Sequence, residues 1–167
     1  SYGIVSYGQI ITTEPEFATE NEPITVYFNA VGTGLQGYTG NVYAHTGVNL
    51  TNGQSWQYVI GTWGNNTTQP QLTKISSNNY KLEITPSARE YYNLSSSHSI
   101  AQICLVFRSA DGSKQSPDLF VDIYTSEVTI AQPDTTEIFS IGDSVQIKAV
   151  ALVADTIKIF LADTLYA

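Results

Sequence analysis

The stretch ITVYFNA, residues 24–30, alternates without a break. Ile24, Val26, Phe28 and Ala30 fall on one side of an extended chain and Thr25, Tyr27 and Asn29 on the other, because successive strand side chains point to opposite faces. A helical turn would scatter the same apolar residues around its axis. The stretch therefore reads as a strand with one face in a core, and the pattern recurs along the chain. YKLEI (80–84) sets Tyr80, Leu82 and Ile84 against Lys81 and Glu83, and LFVDI (119–123) sets Leu119, Val121 and Ile123 against Phe120 and Asp122. IAQICLVF (100–107) is apolar on nearly both faces and reads as a central strand. The turn-forming segments GTGLQGYTG (32–40), TNGQ (51–54), GNN (64–66) and SSNN (76–79) punctuate these runs. One short helical turn is expected in TPSAREYYNL (85–94), with Thr85 as its cap and Pro86 at its first position. Many short strands separated by turns predict an all-β fold, an immunoglobulin-like antiparallel β-sandwich. Its expected core is Val26, Phe28, Val42, Ala44, Leu82, Ile84, Ile103, Leu105, Val121 and Ile123.

A boundary falls near Thr125 and Ser126, giving one module over residues 1–125 and an incomplete second immunoglobulin-like segment over 126–167. The second part suggests strands at Val128–Ile130, Val145–Ala151 and Ile157–Leu161. About 40 residues with so few strands are too short to bury a core of their own. The segment is therefore expected either to be part of a truncated sandwich or to pack on other sheet edges. The abrupt start SYGIVSYGQ and end ADTLYA look like the limits of a piece excised from something longer.

Composition narrows the function. Of 167 residues only 13% are charged, and the net charge is -8. Phosphate binding needs a basic stripe that seven Lys and Arg do not supply, so a nucleic-acid partner is not expected. The same charge argues against an anionic membrane surface, and no run approaches the ~20 apolar residues of a membrane helix. The single cysteine, Cys104, sits in an apolar run and reads as a small buried residue. Asn49, Asn65, Asn66 and Asn93 begin N-x-S/T sequons, which matter only in a eukaryotic secretory pathway.

A search for catalytic chemistry returns little. HExxH, GxSxG and the P-loop are all missing from the sequence. His45 and His98 are the only histidines, and no cluster has zinc-ligand spacing. No metal or cofactor is expected. The acidic residues are scattered or gathered in TEPEFATENEP (13–23), which reads as an exposed N-terminal loop, and sequence alone leaves a glycosidic carboxylate pair open. Asp111 and Asp118 in SADGSKQSPD (109–118) offer calcium too few carboxylates for a loop site.

Aromatics and amides are more telling. Eleven tyrosines and two tryptophans sit among many Asn and Gln residues. Sugar rings have flat C–H faces that aromatic rings cover and hydroxyl rims that amides, hydroxyls and imidazoles satisfy. Trp56 and Trp63 flank QYVIGT, and Asn65 and Asn66 follow the second. Each Trp has two readings, since sandwich cores often bury one. In NVYAHTG (41–47) Val42 and Ala44 face the core, so Tyr43 and His45 stand together on the other face, either as packing at an edge or as an exposed pair.

Taken in order, ITVYFNA, GYTGNVYAHTG, SWQYVIGTWG, PQLTK, YKLEITPS and LVFRSADGSKQSPDLFVDIY resemble an N-terminal module of secreted bacterial α-amylases and related α-glucan hydrolases, over Ile10 to Tyr124. The module is also similar to small starch-binding sandwiches, which carry a Tyr-x-Tyr/His pair on a strand and a Trp in the next loop. The resemblance implies a non-catalytic, secreted or surface-displayed bacterial module that binds α-glucan for a covalently linked hydrolase domain. It places Tyr43, His45 and Trp56 in the sugar site. Trp63 and Asn65 are further candidates from the aromatic and amide pattern. Starch-binding sandwiches commonly have a Trp and an Asn after the FxFxxG turn, whereas FRSADGSKQSPD has neither, and Lys114 and Gln115 are the polar candidates there. The alternative function is a structural spacer or protein-interaction sandwich that binds no sugar.

Overall fold

The structure, a computed structural model, describes residues 9–125, 129–132 and 138–150. The alternating runs become β2 (Ile24–Asn29), β3 (Val42–Leu50), β5 (Asn79–Ile84), β6 (Ile100–Ser109) and β7 (Leu119–Asp122). Two further strands, β1 (Ile11–Glu14) and β4 (Thr73–Ser76), and one helix, α1 (Ala88–Tyr91), complete this part. One antiparallel sheet has the order β1-β2-β5-β4 and the other β3-β6-β7. With 39% strand and 3% helix among the described residues, the chain is an all-β sandwich.

The two sheets meet through their inward positions. Phe28 of β2 lies 4.5 Å, centroid to centroid, from Phe107 of β6, and 6.0 Å from Tyr80 of β5. Ile24, Val26, Leu82 and Ile84 from one sheet and Val42, Ala44, Val48, Ile103 and Leu105 from the other fill the layer around them. Of the expected core, Ile123 alone is only half-buried, because it lies beyond the end of β7 at the rim. β6 is the central strand of its sheet, as its double-faced apolar pattern predicts.

Local polar contacts correct two expectations. The cap of α1 is Ser87, not Thr85: its hydroxyl accepts from Glu90 N at 3.2 Å and donates to the Glu90 carboxylate at 3.0 Å. The Ser87 hydroxyl thus satisfies the free Glu90 N–H of the first turn, and the Glu90 carboxylate holds that hydroxyl in place. The segment 13–23 is not simply an exposed loop. Its start forms β1, Ala18 is buried, and the Glu20 carboxylate accepts from Arg89 Nη1 at 2.6 Å and from Ile100 N at 2.8 Å. That half-buried ion pair ties the N-terminal segment to α1 and to the start of β6.

One buried polar contact makes a stability test. Thr46 Oγ1 donates to the Cys104 carbonyl at 2.9 Å, so the Tyr92 hydroxyl, 2.7 Å away, must donate to Thr46. Burial also raises the Tyr92 pKa, keeping the hydroxyl protonated. Thr46→Val keeps the shape but leaves the Tyr92 hydroxyl unpaired in the core, a loss of about 1–3 kcal/mol. Equilibrium denaturation should show that loss, and Tyr92→Phe in the same background should recover part of it. No destabilisation by Thr46→Val would contradict this account.

The chain divides into two compact units, Ser1–Ile123 and Tyr124–Ala167. In the second, β8 (Thr129–Gln132) pairs antiparallel with β9 (Lys148–Val150). Of the expected strand Val145–Ala151, only Lys148–Val150 pairs among the described residues, and Val145 and Ile147 stay exposed. The turn before them is closed by Ser140 N to the Asp143 carboxylate at 2.7 Å. The expected strand Ile157–Leu161 lies outside the described residues.

Candidate aromatic binding site

β3 is an edge strand of its sheet, and an unpaired edge needs cover. The segment 54–72 supplies it. Gln57 and Val48 exchange both backbone bonds at 2.8 Å, Ile60 N donates to Thr46 O at 2.9 Å, and Ala44 N to Pro70 O at 2.8 Å. Leu72 N closes the run on Val42 O at 2.9 Å. The close approach depends on Gly47: a Cβ there would come within 2.8 Å of Gln57 O and 2.9 Å of Val59 Cγ2. Of the outward side chains of β3 and β6, Tyr43, Cys104, Val106 and Arg108 are buried, while His45, Asn49 and Gln102 are half-buried. Burial pushes the Cys104 thiol up to about 11, so it is an inert neutral group.

This cover delivers the indoles to His45. The His45 ring stacks on Trp56 at 5.3 Å with 23° between planes, and meets Trp63 edge-on at 5.0 Å and 76°. Trp63 is 47% exposed, an unusual degree for so large an apolar ring. Trp56 and Tyr58 both hold left-handed backbone, at φ 51° and 53°. That conformation costs a bulky residue about 1–2 kcal/mol and persists only where the surroundings enforce it. Here Asn49 Oδ1 accepts from Trp56 N at 3.1 Å, and the Tyr58 hydroxyl bonds to His98 Nδ1 at 2.6 Å. Asn49 in turn donates to Gln102, whose amide donates to Asp122.

Tyr43 requires a correction. The alternation puts it on the same face as His45, but that face is not wet: Tyr43 is 8% exposed, under the cover of residues 54–72. Its ring lies 5.2 Å from the guanidinium of Arg108, its ladder partner, and packs against that group instead of lining an open face. Arg108, fully buried, donates from Nε to Gln69 Oε1 at 2.6 Å and from Nη1 to Ser109 O at 3.0 Å. Gln69 Nε2 lies 3.0 Å from His45 Nδ1. Burial first, and the Arg108 charge second, lower the His45 pKa, with Asp118 opposing.

The remaining candidates lie on two turns that one side-chain bond joins. Asn65 organises its own turn, its side-chain oxygen accepting from Thr67 N at 2.9 Å and Thr67 Oγ1 at 2.7 Å. Asn66 ties the Trp63 loop to the β6–β7 turn through Nδ2 to Ala110 O at 3.0 Å. Lys114 lies on that turn, exposed, with its backbone paired to Ser109. Asp111 is occupied by its own turn: the Ser109 and Ser113 hydroxyls donate to it and hold its carboxyl down at about 2. Among the described residues no three His, Cys, Asp or Glu side chains gather as a metal site, and no helix is long and apolar enough to cross a membrane. Two open hollows of about 330 and 320 Å³ lie elsewhere, one beside Lys74 and Tyr80 and one beside Tyr27 and Ile75, and neither is lined by a carboxylate. No protein-family model matches the chain, and a search of curated proteins finds no match.

The lowered His45 pKa gives a stability test with a definite sign. As pH falls, the unfolded chain takes up the proton near the ordinary imidazole value of about 6.5, before the folded protein does. The contribution is therefore fully present above about pH 6.5 and lost as pH falls below it. Melting curves across that range should show wild type losing more stability than His45→Gln. Equal losses would contradict the placement of His45.

Proposed function

We propose that this chain is a non-catalytic carbohydrate-binding module that takes α-glucan, starch or maltooligosaccharide, on the His45, Trp56 and Trp63 surface. The observation that carries the reading is the half-exposed Trp63 ring standing edge-on to a His45 ring that is itself stacked on Trp56. Trp56 lies nearly parallel to His45 and Trp63 nearly perpendicular, so the two indoles form a corner rather than a flat strip. A corner suits the curved face of an α-1,4-glucan helix, where a flat strip suits a straight β-glucan chain. Aromatic rings supply apolar area with few torsions to freeze, and the backbone fixed at Trp56 lowers the ordering cost further. Asn65, Lys114 and Gln115 provide polar groups on the bordering turns. The resemblance to the N-terminal module of secreted bacterial α-amylases supports the same ligand. It also supports an immunoglobulin-like identity, a secreted or cell-surface setting and a linked hydrolase domain.

Native gel electrophoresis with soluble starch in the matrix tests the reading. The protein should be retarded relative to the same gel without starch, and excess maltoheptaose should restore its mobility. Unchanged mobility would favour the spacer or protein-interaction alternative.

A further inference from the structure

We propose that Gln69, oriented by Arg108, is a positioning residue that holds His45 as the neutral tautomer with its proton on Nε2, so that the aromatic surface offers one fixed imidazole donor. The donor inventory forces this arrangement. A guanidinium only donates, and a glutamine amide has one accepting oxygen and one donating nitrogen. Arg108 Nε approaches Gln69 at 2.6 Å, so the amide oxygen must face Arg108. The amide nitrogen is then the atom 3.0 Å from His45 Nδ1, and it can only donate. Nδ1 is therefore the lone-pair nitrogen of the ring, and the proton of neutral His45 sits on Nε2. Protonated His45 would oppose an N–H to the amide N–H, so the relay also resists charging.

Arg108 is a costly residue to keep in this place. It is fully buried, forms no ion pair among the described residues, and leaves Nη2 without a hydrogen-bond partner. Burying a cation without a counter-charge is unfavourable. Its Nη1 bond to Ser109 O and its position over the Tyr43 ring hold the guanidinium in one orientation, with Nε aimed at Gln69. The charged groups acting on His45 are Arg108 from β6, which disfavours its protonation, and Asp118 from the segment before β7, which favours it. Trp56 and Trp63, the rings against His45, are uncharged. This inference rests on the α-glucan reading for its purpose: a surface that stays neutral with a fixed Nε2 donor binds sugar hydroxyls over a wider pH range than a freely titrating imidazole.

Long-range proton–nitrogen NMR of the free protein reads the tautomer without any sugar, with the His45 signals assigned by their loss in His45→Gln. Wild type should show an unprotonated Nδ1 and a protonated Nε2, with a titration midpoint below that of a free imidazole. Gln69→Glu should pair with Arg108 and accept from Nδ1, moving the proton to Nδ1 and raising the midpoint by about one unit or more. Gln69→Leu, which removes the relay without adding charge, should release His45 to a mixture of tautomers. A wild-type proton on Nδ1, or a midpoint that Gln69→Glu leaves in place, would overturn the assignment. Calorimetric titration with maltoheptaose separates the two claims. The expected tautomer without sugar binding would uphold the role of Gln69 and remove the α-glucan reading; the wrong tautomer with sugar binding would do the reverse.

Discussion

Replacing Phe28 with alanine should destabilise the sandwich by about 3–5 kcal/mol, the largest stability loss expected from a single substitution in the first module. Phe28 joins the sheets rather than merely lining one of them. It is 1% exposed, its ring is 4.5 Å from Phe107 across the core, and it also packs near Tyr80 of the neighbouring strand. Val26 and Leu82, which face each other in the β2–β5 ladder, sit in the same closed layer. A close-packed interior relaxes only partly around a deletion, so lost contacts add to lost burial. Thermal melting should register a fall on the order of 10 °C or more. Phe120→Ala is the control, because that ring is 44% exposed on the outer side of β7 and should shift stability little. Similar losses from both substitutions would mean that the sheets are not packed as described.

The second large effect concerns binding. Trp56→Ala should weaken the proposed α-glucan binding by at least ~2 kcal/mol, about thirtyfold, as expected of an aromatic binding hot spot. One face of Trp56 covers His45, so removing it takes away one wall of the corner and exposes the imidazole to solvent. Trp56 is only half-buried, so little packing is lost to folding, and alanine keeps the Cβ already tolerated at this positive φ. Binding should thus fall far more than the melting temperature. Trp63→Ala should weaken binding with even less effect on folding, since that ring is the more exposed.

The strands that carry the core were legible because each buries one face. β2 and β5 alternate cleanly, and the ladder sets Val26 opposite Leu82 and Ile24 opposite Ile84. β1 and β4 were not, since four residues with little alternation owe their strand conformation to the neighbours they pair with. The candidate site was half legible. The period of β3 correctly set Tyr43 and His45 on one face, but no local pattern states that residues 54–72 return to cover it. Clues to that cover lay on the neighbouring strand and in β3 itself. Cys104 and Val106 make β6 apolar on its outer side as well, Arg108 falls in register with Tyr43, and Gly47 interrupts an otherwise bulky strand. Gln69 carried no signal at all, because its role depends on being held between Arg108 and His45, residues far from it in sequence.

Calorimetric titration of maltoheptaose into wild type, Trp56→Ala and Trp63→Ala tests the proposed sugar site most directly, with melting temperatures recorded for all three as a check on folding. The account predicts saturable binding by wild type and at least about thirtyfold weaker binding by a folded Trp56→Ala protein. Wild type that binds no maltoheptaose, or folded tryptophan variants that bind it as wild type does, would contradict it.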